Sequence, residues 1–198
     1  MTAAPTAIAD LKEALREQAL GRRAALPPTR RIEAGLALAE AAEVLDIVPG
    51  AVVSGFWPIR DEIDPRPLMA RLQQAGHQLC LPVVRKPHMI FRRLDRETRL
   101  VPAGFGTVEP EEASPELRPD VLLVPLAAFD RRGGRLGYGK GHYDTAIAAL
   151  ERLGPVRRIG LAFSVQEVDH VPTEPHDQPL EAILTEAGYR RFDTSVDT

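Results

Sequence analysis

Val121-Leu122-Leu123-Val124, the glycine-rich stretch Asp130-Arg131-Arg132-Gly133-Gly134-Arg135-Leu136-Gly137-Tyr138-Gly139-Lys140-Gly141-His142-Tyr143-Asp144, and the stretch Val156 to Phe163 decide the fold. The first is continuous, apolar and rich in β-formers, the pattern of a parallel strand buried on both faces. The second turns freely and then enters a helix from about His142 to Leu153. The third is again a strand. Alternating strands and helices of this length point to an α/β layered fold with a mainly parallel central sheet flanked by helices.

The flanking sequence repeats that alternation. Ile8, Leu11, Leu15 and Ala19 recur at helical spacing from Ile8 to about Ala25, with Asp10 early and Arg22 and Arg23 late, as the helix dipole prefers. Pro27-Pro28 ends that helix. A second is expected from Thr29, as N-cap, through Ile32, Leu36, Leu38 and Leu45 until Pro49-Gly50. Ala51 to Trp57 reads as a buried strand bounded by Pro58. Asp64-Pro65 opens a helix with Leu68, Met69, Leu72 and Ala75 on one face and Gly76 at its end. His77 to Val84 and Met89 to Leu94 read as strands, the latter less buried because of Arg92 and Arg93. Glu97 to Pro119 reads mostly as loop. Short strands follow near Ala182 to Thr185 and Tyr189 to Phe192. Ligands of open parallel sheets sit at the carboxyl ends of the strands, so the loops after Trp57, Pro125 and Phe163 are the expected seat of chemistry.

Composition bounds the remaining choices. The chain has 198 residues, 44% hydrophobic and 27% charged, with 25 basic against 28 acidic residues and a formal net charge of -3. One domain spanning 1-198 is expected, since no linker, repeat or charge block divides it. Its charge argues against a nucleic-acid binder, which would be distinctly basic. Met1 to Ala9 lack the features of a secretory signal, and no apolar run approaches a membrane span, so a cytoplasmic protein is expected. The single cysteine, Cys80, lies between leucines and reads as a reduced core residue.

Five glycines within residues 133–141 let the backbone bring its N–H groups close to a ligand. At a helix N-terminus such groups form an anion site, to which Arg135 and Lys140 add charge. Gly134, Gly139 and Lys140 have the spacing of a nucleotide P-loop, but Gly141 occupies the place of the magnesium-binding Ser or Thr. The dinucleotide pattern also fails, needing glycine at His142 or Asp144. Asp144 offers a magnesium-binding carboxylate or a simple first-turn helix charge. Asp177 is a second carboxylate, which spacing alone does not bring to Asp144. Trp57 and Phe56 could pack on a flat heterocycle while Glu62 accepts paired hydrogen bonds from an amino-pyrimidine edge. Lys12 and Arg16 lie four residues apart on one helical face.

Together these segments resemble the 5-formyltetrahydrofolate cyclo-ligase family. The resemblance runs from Lys12-x-x-Leu15-Arg16, through Glu62-Ile63-Asp64 and Gly104-Phe105-Gly106-Thr107-Val108-Glu109-Pro110, to Val124-Pro125-x-x-x-Phe129-Asp130 and Arg135 to Asp144. It implies a Rossmann-like sheet and an ATP- and Mg2+-dependent conversion of 5-formyltetrahydrofolate to 5,10-methenyltetrahydrofolate, in a monomer. ATP would be held by Lys12, Arg16, Arg135, Leu136, Gly137, Tyr138, Gly139, Lys140, Gly141, His142 and Tyr143. The folate would be held by Trp57, Glu62, Tyr138, Gly139, Lys140, Gly141 and His142, and the metal by Asp144 and Asp177. Lys140, Arg135 and Tyr138 would be the catalytic groups. His142 departs from the family's usual aromatic residue, and position 138 varies among members. Two other classes are weighed: a nonenzymatic nucleotide-binding domain of the same fold, and a metal-dependent hydrolase built on His142, Asp144, His176 and Asp177, whose spacings match no recognised ligand signature.

Overall fold

The computed structural model describes residues 5–86 and 88–192. Strands β1 (Val52–Ser54), β2 (Gln78–Arg85), β3 (His88–Leu94), β4 (Leu100–Pro102), β5 (Val108–Pro110), β6 (Val121–Pro125), β7 (Ala128–Phe129), β8 (Arg135–Leu136), β9 (Arg157–Leu161), β10 (Ala182–Thr185) and β11 (Gly188–Arg191) are joined by helices α1 (Pro5–Ala24), α2 (Pro28–Glu40), α3 (Arg66–Gln74) and α4 (His142–Glu151). Seven strands form one sheet in the order β11-β10-β9-β6-β1-β2-β3. Its five inner strands run parallel, and β3 and β11 close the edges antiparallel.

Alternation along the inner strands sorts the core into two layers. Val53, Leu79, Leu81, Val121, Leu123, Ile159 and Leu161 face Leu38 of α2 and Leu68, Met69 and Leu72 of α3. Cys80, Leu122, Val124 and Ile183 face the other way, onto Ala146, Ile147 and Leu150 of α4. The α/β expectation and the buried Cys80 are both met. A third, smaller cluster of Ala19, Ala128, Leu136, Val168 and Val171 seats α1 on the hairpin β7–β8.

The chain leaves β1 toward β2 on one side and later returns to β6 on the other. The direction in which strands are added therefore reverses between β1 and β6, which is where open α/β sheets bind ligands.

Several local expectations are corrected. Thr29 is not the N-cap of α2; Pro27 is, and the helix starts on Pro28, whose fixed φ suits the first turn. That helix ends at Glu40, and Leu45 belongs to a separate 3-10 turn, Ala42–Leu45. Because α1 begins at Pro5, Asp10 lies beyond its first turn. β1 stops at Ser54, two residues before Phe56. Arg92 is only 6% exposed, so β3 is less open than its arginines suggested; its guanidinium donates to the Glu111 carbonyl. Within the stretch read as loop, β4 pairs with β5.

The glycine-rich segment also divides in two. Its first half is the turn of the β7–β8 hairpin, with Gly133 at φ +85°. Asp130, 1% exposed, organises that turn by accepting from the backbone N–H groups of Arg132, Gly134 and Val171. Burial alone would raise the Asp130 pKa, but those three donors hold it below the usual carboxylate range. Only the second half, Gly137 to Gly141, is free to face a ligand.

Candidate active site

A cleft of about 720 Å³ opens at the carboxyl ends of β1, β2 and β6. Trp57 and Glu62 enter it from the segment after β1, and Tyr138, Lys140, Gly141, His142, Tyr143 and Asp144 from the loop and first turn of α4. Leu81, Val84 and Met89 supply an apolar wall from β2 and β3. Gly139 and Gly141 have φ +79° and +65°, left-handed values that let the loop double back before α4. Gly141 is the N-cap, so the unpaired N–H groups of the first turn point toward the cleft end of the helix.

Glu62 is 8% exposed. Its Oε2 accepts from the Ile59 N–H at 2.7 Å, while its Oε1 has no hydrogen-bond partner among the described residues. Burial pushes its pKa up, against the pull of Tyr138, the Ile59 amide and Arg23. A buried, half-satisfied carboxylate costs stability unless a ligand completes it. Arg60, in the same segment, adopts φ +55°, rare for a side chain of its size. Trp57 is packed on the core edge, with the Arg66 guanidinium 5.1 Å from its ring centroid.

Helix α1 lies across the loop. Lys12 Nζ reaches Asp177 Oδ2 at 2.6 Å and Glu174 Oε2 at 2.8 Å. Burial would lower the Lys12 pKa, but these two carboxylates outweigh it and raise the value. Arg16 donates from Nε to the Gly137 carbonyl at 2.9 Å and is paired with Glu13. Ala19 and Leu15 fill the space between the helix and the hairpin.

Arg135 is buried beneath the loop, at 8% exposure. Its Nη2 donates to Asp144 Oδ1 at 2.7 Å and its Nε to the Gln178 carbonyl at 3.1 Å. Burial lowers its pKa, while Asp144, Tyr143 and Asp177 support its charge. Asp144 pairs with this guanidinium directly, whereas Asp177 pairs with Lys12. Asp144 Oδ1 also accepts from the Gln178 N–H at 3.0 Å. Asp177 Oδ2 accepts from the Glu174 N–H at 2.8 Å. Asp144 keeps Oδ2 clear of these bonds, while Asp177 Oδ1 faces His176 Nε2 at 3.8 Å. Magnesium favours one or two carboxylates together with phosphate oxygens and water, and this pair fits that habit. Among the described residues no group of three or more His, Cys, Asp or Glu side chains gathers where it could hold an ion.

Arg23 pairs with Asp61 at 2.7 Å, a contact that no local pattern marks. Arg23 and Arg22 read in the sequence as dipole-complementing charges, yet Arg22 donates to the carbonyls of Val165 and Glu167, and Arg23 is buried in the cleft wall. Thr107 and Glu109, from the quoted Gly104 to Pro110 stretch, also line the cleft.

A parallel sheet with a glycine-rich loop and a buried carboxylate at its switch point is the architecture of an α/β enzyme whose cleft lies where open sheets bind ligands. Residues 8–186 match the model of the 5-formyltetrahydrofolate cyclo-ligase family. The chain belongs to that family and is an enzyme of its kind. It is 32% identical to the 5-formyltetrahydrofolate cyclo-ligase of Escherichia coli over 172 residues, covering 83% of this chain and 94% of that one. Against the mouse protein of the same name, identity is 29% over 148 residues, covering 68% of this chain and 72% of that one. The 5,10-methenyltetrahydrofolate synthetase structure from Aquifex aeolicus superposes with a TM-score of 0.75 at 28% identity, covering 95% of this chain and 96% of that one. No described helix is long and apolar enough to cross a membrane.

Proposed function

We propose that this enzyme converts 5-formyltetrahydrofolate to 5,10-methenyltetrahydrofolate, consuming ATP with magnesium and releasing ADP and phosphate. The observation that carries this reading is the unpartnered Oε1 of Glu62, buried in the cleft that Lys140 and the N-terminus of α4 also enter. Glu62 would accept paired hydrogen bonds from the pterin amino-pyrimidine edge, with Trp57 beside the ring.

The formyl group on N5 is amide-like, and its oxygen leaves poorly. In this reading the formyl oxygen attacks the γ-phosphorus in line, and ADP departs. N10 then attacks the formyl carbon and loses its proton, and the C–O bond breaks to release phosphate. No protein nucleophile is required. Lys140 and the amides of Gly139 to Tyr143 would neutralise charge on the transferring group, and Lys12 and Arg16 would hold the rest of the triphosphate. Arg135 would act from beneath, orienting Asp144 and adding positive charge. Magnesium, held by Asp144 and Asp177, would supply charge neutralisation at the phosphate oxygens. Holding the folate folded makes ring closure intramolecular, a saving of several kcal/mol in barrier.

The test is absorbance. Mixed with 5-formyltetrahydrofolate, ATP and magnesium, the protein should generate the near-ultraviolet band of the methenyl product. Omitting any one component, or adding a chelator, should abolish it; product formation without ATP would overturn the reading.

A further inference from the structure

Glu62 belongs to a tight turn that its own side chain closes. Its backbone N–H donates to the Ile59 carbonyl at 3.1 Å, and the Ile59 N–H donates back to Glu62 Oε2 at 2.7 Å. The carboxylate is therefore part of the turn 59–62, and the conformation of that turn sets where the unpartnered Oε1 lies.

The turn is not one that its residues favour. Arg60, its first central residue, has φ +55°, while Asp61, its second, does not share the positive value. Turns of this kind take glycine at the first central position, because a Cβ there crowds the following carbonyl oxygen. The Arg60 side chain is exposed, so no burial offsets that cost. A contact from outside the turn must hold it.

Asp61 makes that contact. Its Oδ1 accepts from Arg23 Nη2 at 2.7 Å, with the two side chains 18% and 5% exposed. Arg23 Nη1 donates to the Tyr138 hydroxyl oxygen at the same distance, which anchors the guanidinium independently of the turn. Burial alone would raise the Asp61 pKa, but Arg23 holds it below the usual carboxylate range, so the pair stays charged at neutral pH. Desolvation offsets much of what a buried ion pair gains, so stability alone is weak ground for one.

We propose that Arg23 and Asp61 are positioning residues for the folate: their ion pair clamps the strained turn 59–62 and so fixes the Glu62 carboxylate in the cleft wall. The inference rests on the reading of Glu62 as the acceptor for the pterin edge. Released from the clamp, Arg60 would return to negative φ, the two bonds between Ile59 and Glu62 would open, and the carboxylate would leave its place.

Calorimetry on the whole chain tests this, with 5-formyltetrahydrofolate and, separately, a non-hydrolysable ATP analogue with magnesium. Asp61→Ala should weaken folate about tenfold, the scale of letting one side chain leave positive φ. Asp61→Asn keeps an acceptor for Arg23 and should lose about threefold, because charge-assisted bonds are roughly twice as strong as neutral ones. Glycine takes positive φ freely, so adding Arg60→Gly to Asp61→Ala should recover at least about threefold, while Arg60→Gly alone should change folate affinity by less than about twofold. In steady state the loss should fall on the folate KM with kcat near wild type, as for lost uniform binding. A pair that merely fastened α1 would not respond to residue 60, and its loss would reach the nucleotide through Lys12 and Arg16 on the same helix. Asp61→Asn conserves volume and, with Arg60→Gly added to it, carries the test if Asp61→Ala does not fold. Unchanged folate affinity in the Asp61 variants, no recovery by Arg60→Gly, or an equal loss for the analogue would overturn the inference. Wild-type protein that binds no 5-formyltetrahydrofolate would overturn the folate reading itself.

Discussion

Lys12 and Asp177, 165 positions apart in sequence, meet with Nζ 2.6 Å from Oδ2 and join the N-terminal helix to the loop that follows Val171. The contact places a cation and a candidate metal carboxylate against each other, both outside the residues that line the cleft. In the proposed reading, a triphosphate extending from the cleft would meet both groups.

Lys12→Met should therefore weaken ATP binding about tenfold or more, which corresponds to ~1.4 kcal/mol. Lys12→Arg should keep part of the affinity. Because the lysine pKa is raised and that of Asp177 lowered, the stability this pair contributes is complete at neutral pH, and is lost as pH climbs through the lysine's folded-state value, above 10.5, or falls through the lowered carboxylate value. Calorimetry with ATP checks the first statement, and unchanged affinity would remove Lys12 from the nucleotide site.

Replacing Glu62 with Gln should lower folate affinity by roughly 10- to 100-fold, the scale of a charge-assisted bond, and leave ATP binding intact. The same change should stabilise the ligand-free protein at pH 7. Glu62 has a raised pKa, so the folded state binds its proton more tightly than the unfolded chain does, and stability falls as pH rises from the ordinary carboxylate range through the folded value. Gln carries no such cost. The difference in melting temperature should shrink toward zero below about pH 4; a variant equally or less stable at pH 7 would show that Glu62 is not strained in the empty cleft.

Lys140→Ala should slow turnover about 10²-fold or more, the scale of losing one preorganised electrostatic donor, while folate still binds. Steady-state kinetics and a folate titration separate the two effects. Near-normal turnover would exclude Lys140 from transition-state stabilisation.

Gly133→Ala should destabilise the protein by about 2 kcal/mol or more. The residue has φ +85°, and an added Cβ would stand 2.6 Å from the Leu180 carbonyl oxygen, which belongs to backbone and cannot swing aside. Urea unfolding measures the loss; a midpoint unchanged from wild type would show that the hairpin turn tolerates a side chain.

Most of the strands and helices were legible because their signals are local. Val121 to Val124 is apolar on both faces and became the sheet's buried centre, next to β1 and β9. Leu68, Met69 and Leu72 share one face of α3 and are buried as that spacing predicts. Boundaries were less legible where a hydrogen bond to a distant residue sets them. β1 has ladder partners only as far as Ser54, although its apolar run continues to Trp57.

By itself, the sequence determined the α/β alternation, the glycine-rich turn before a helix, and the residue types able to meet an anion and a pterin, since hydrophobic period and backbone freedom are properties of neighbouring residues. Tertiary structure alone decided that β1 and β6 lie side by side at the switch point, that Asp144 pairs with Arg135 while Asp177 pairs with Lys12, and that Arg23 reaches Tyr138 instead of solvent. Those relations depend on strand order and on how α1 docks against β7 and β8, both settled by packing between residues far apart in the chain, and no local pattern encodes them.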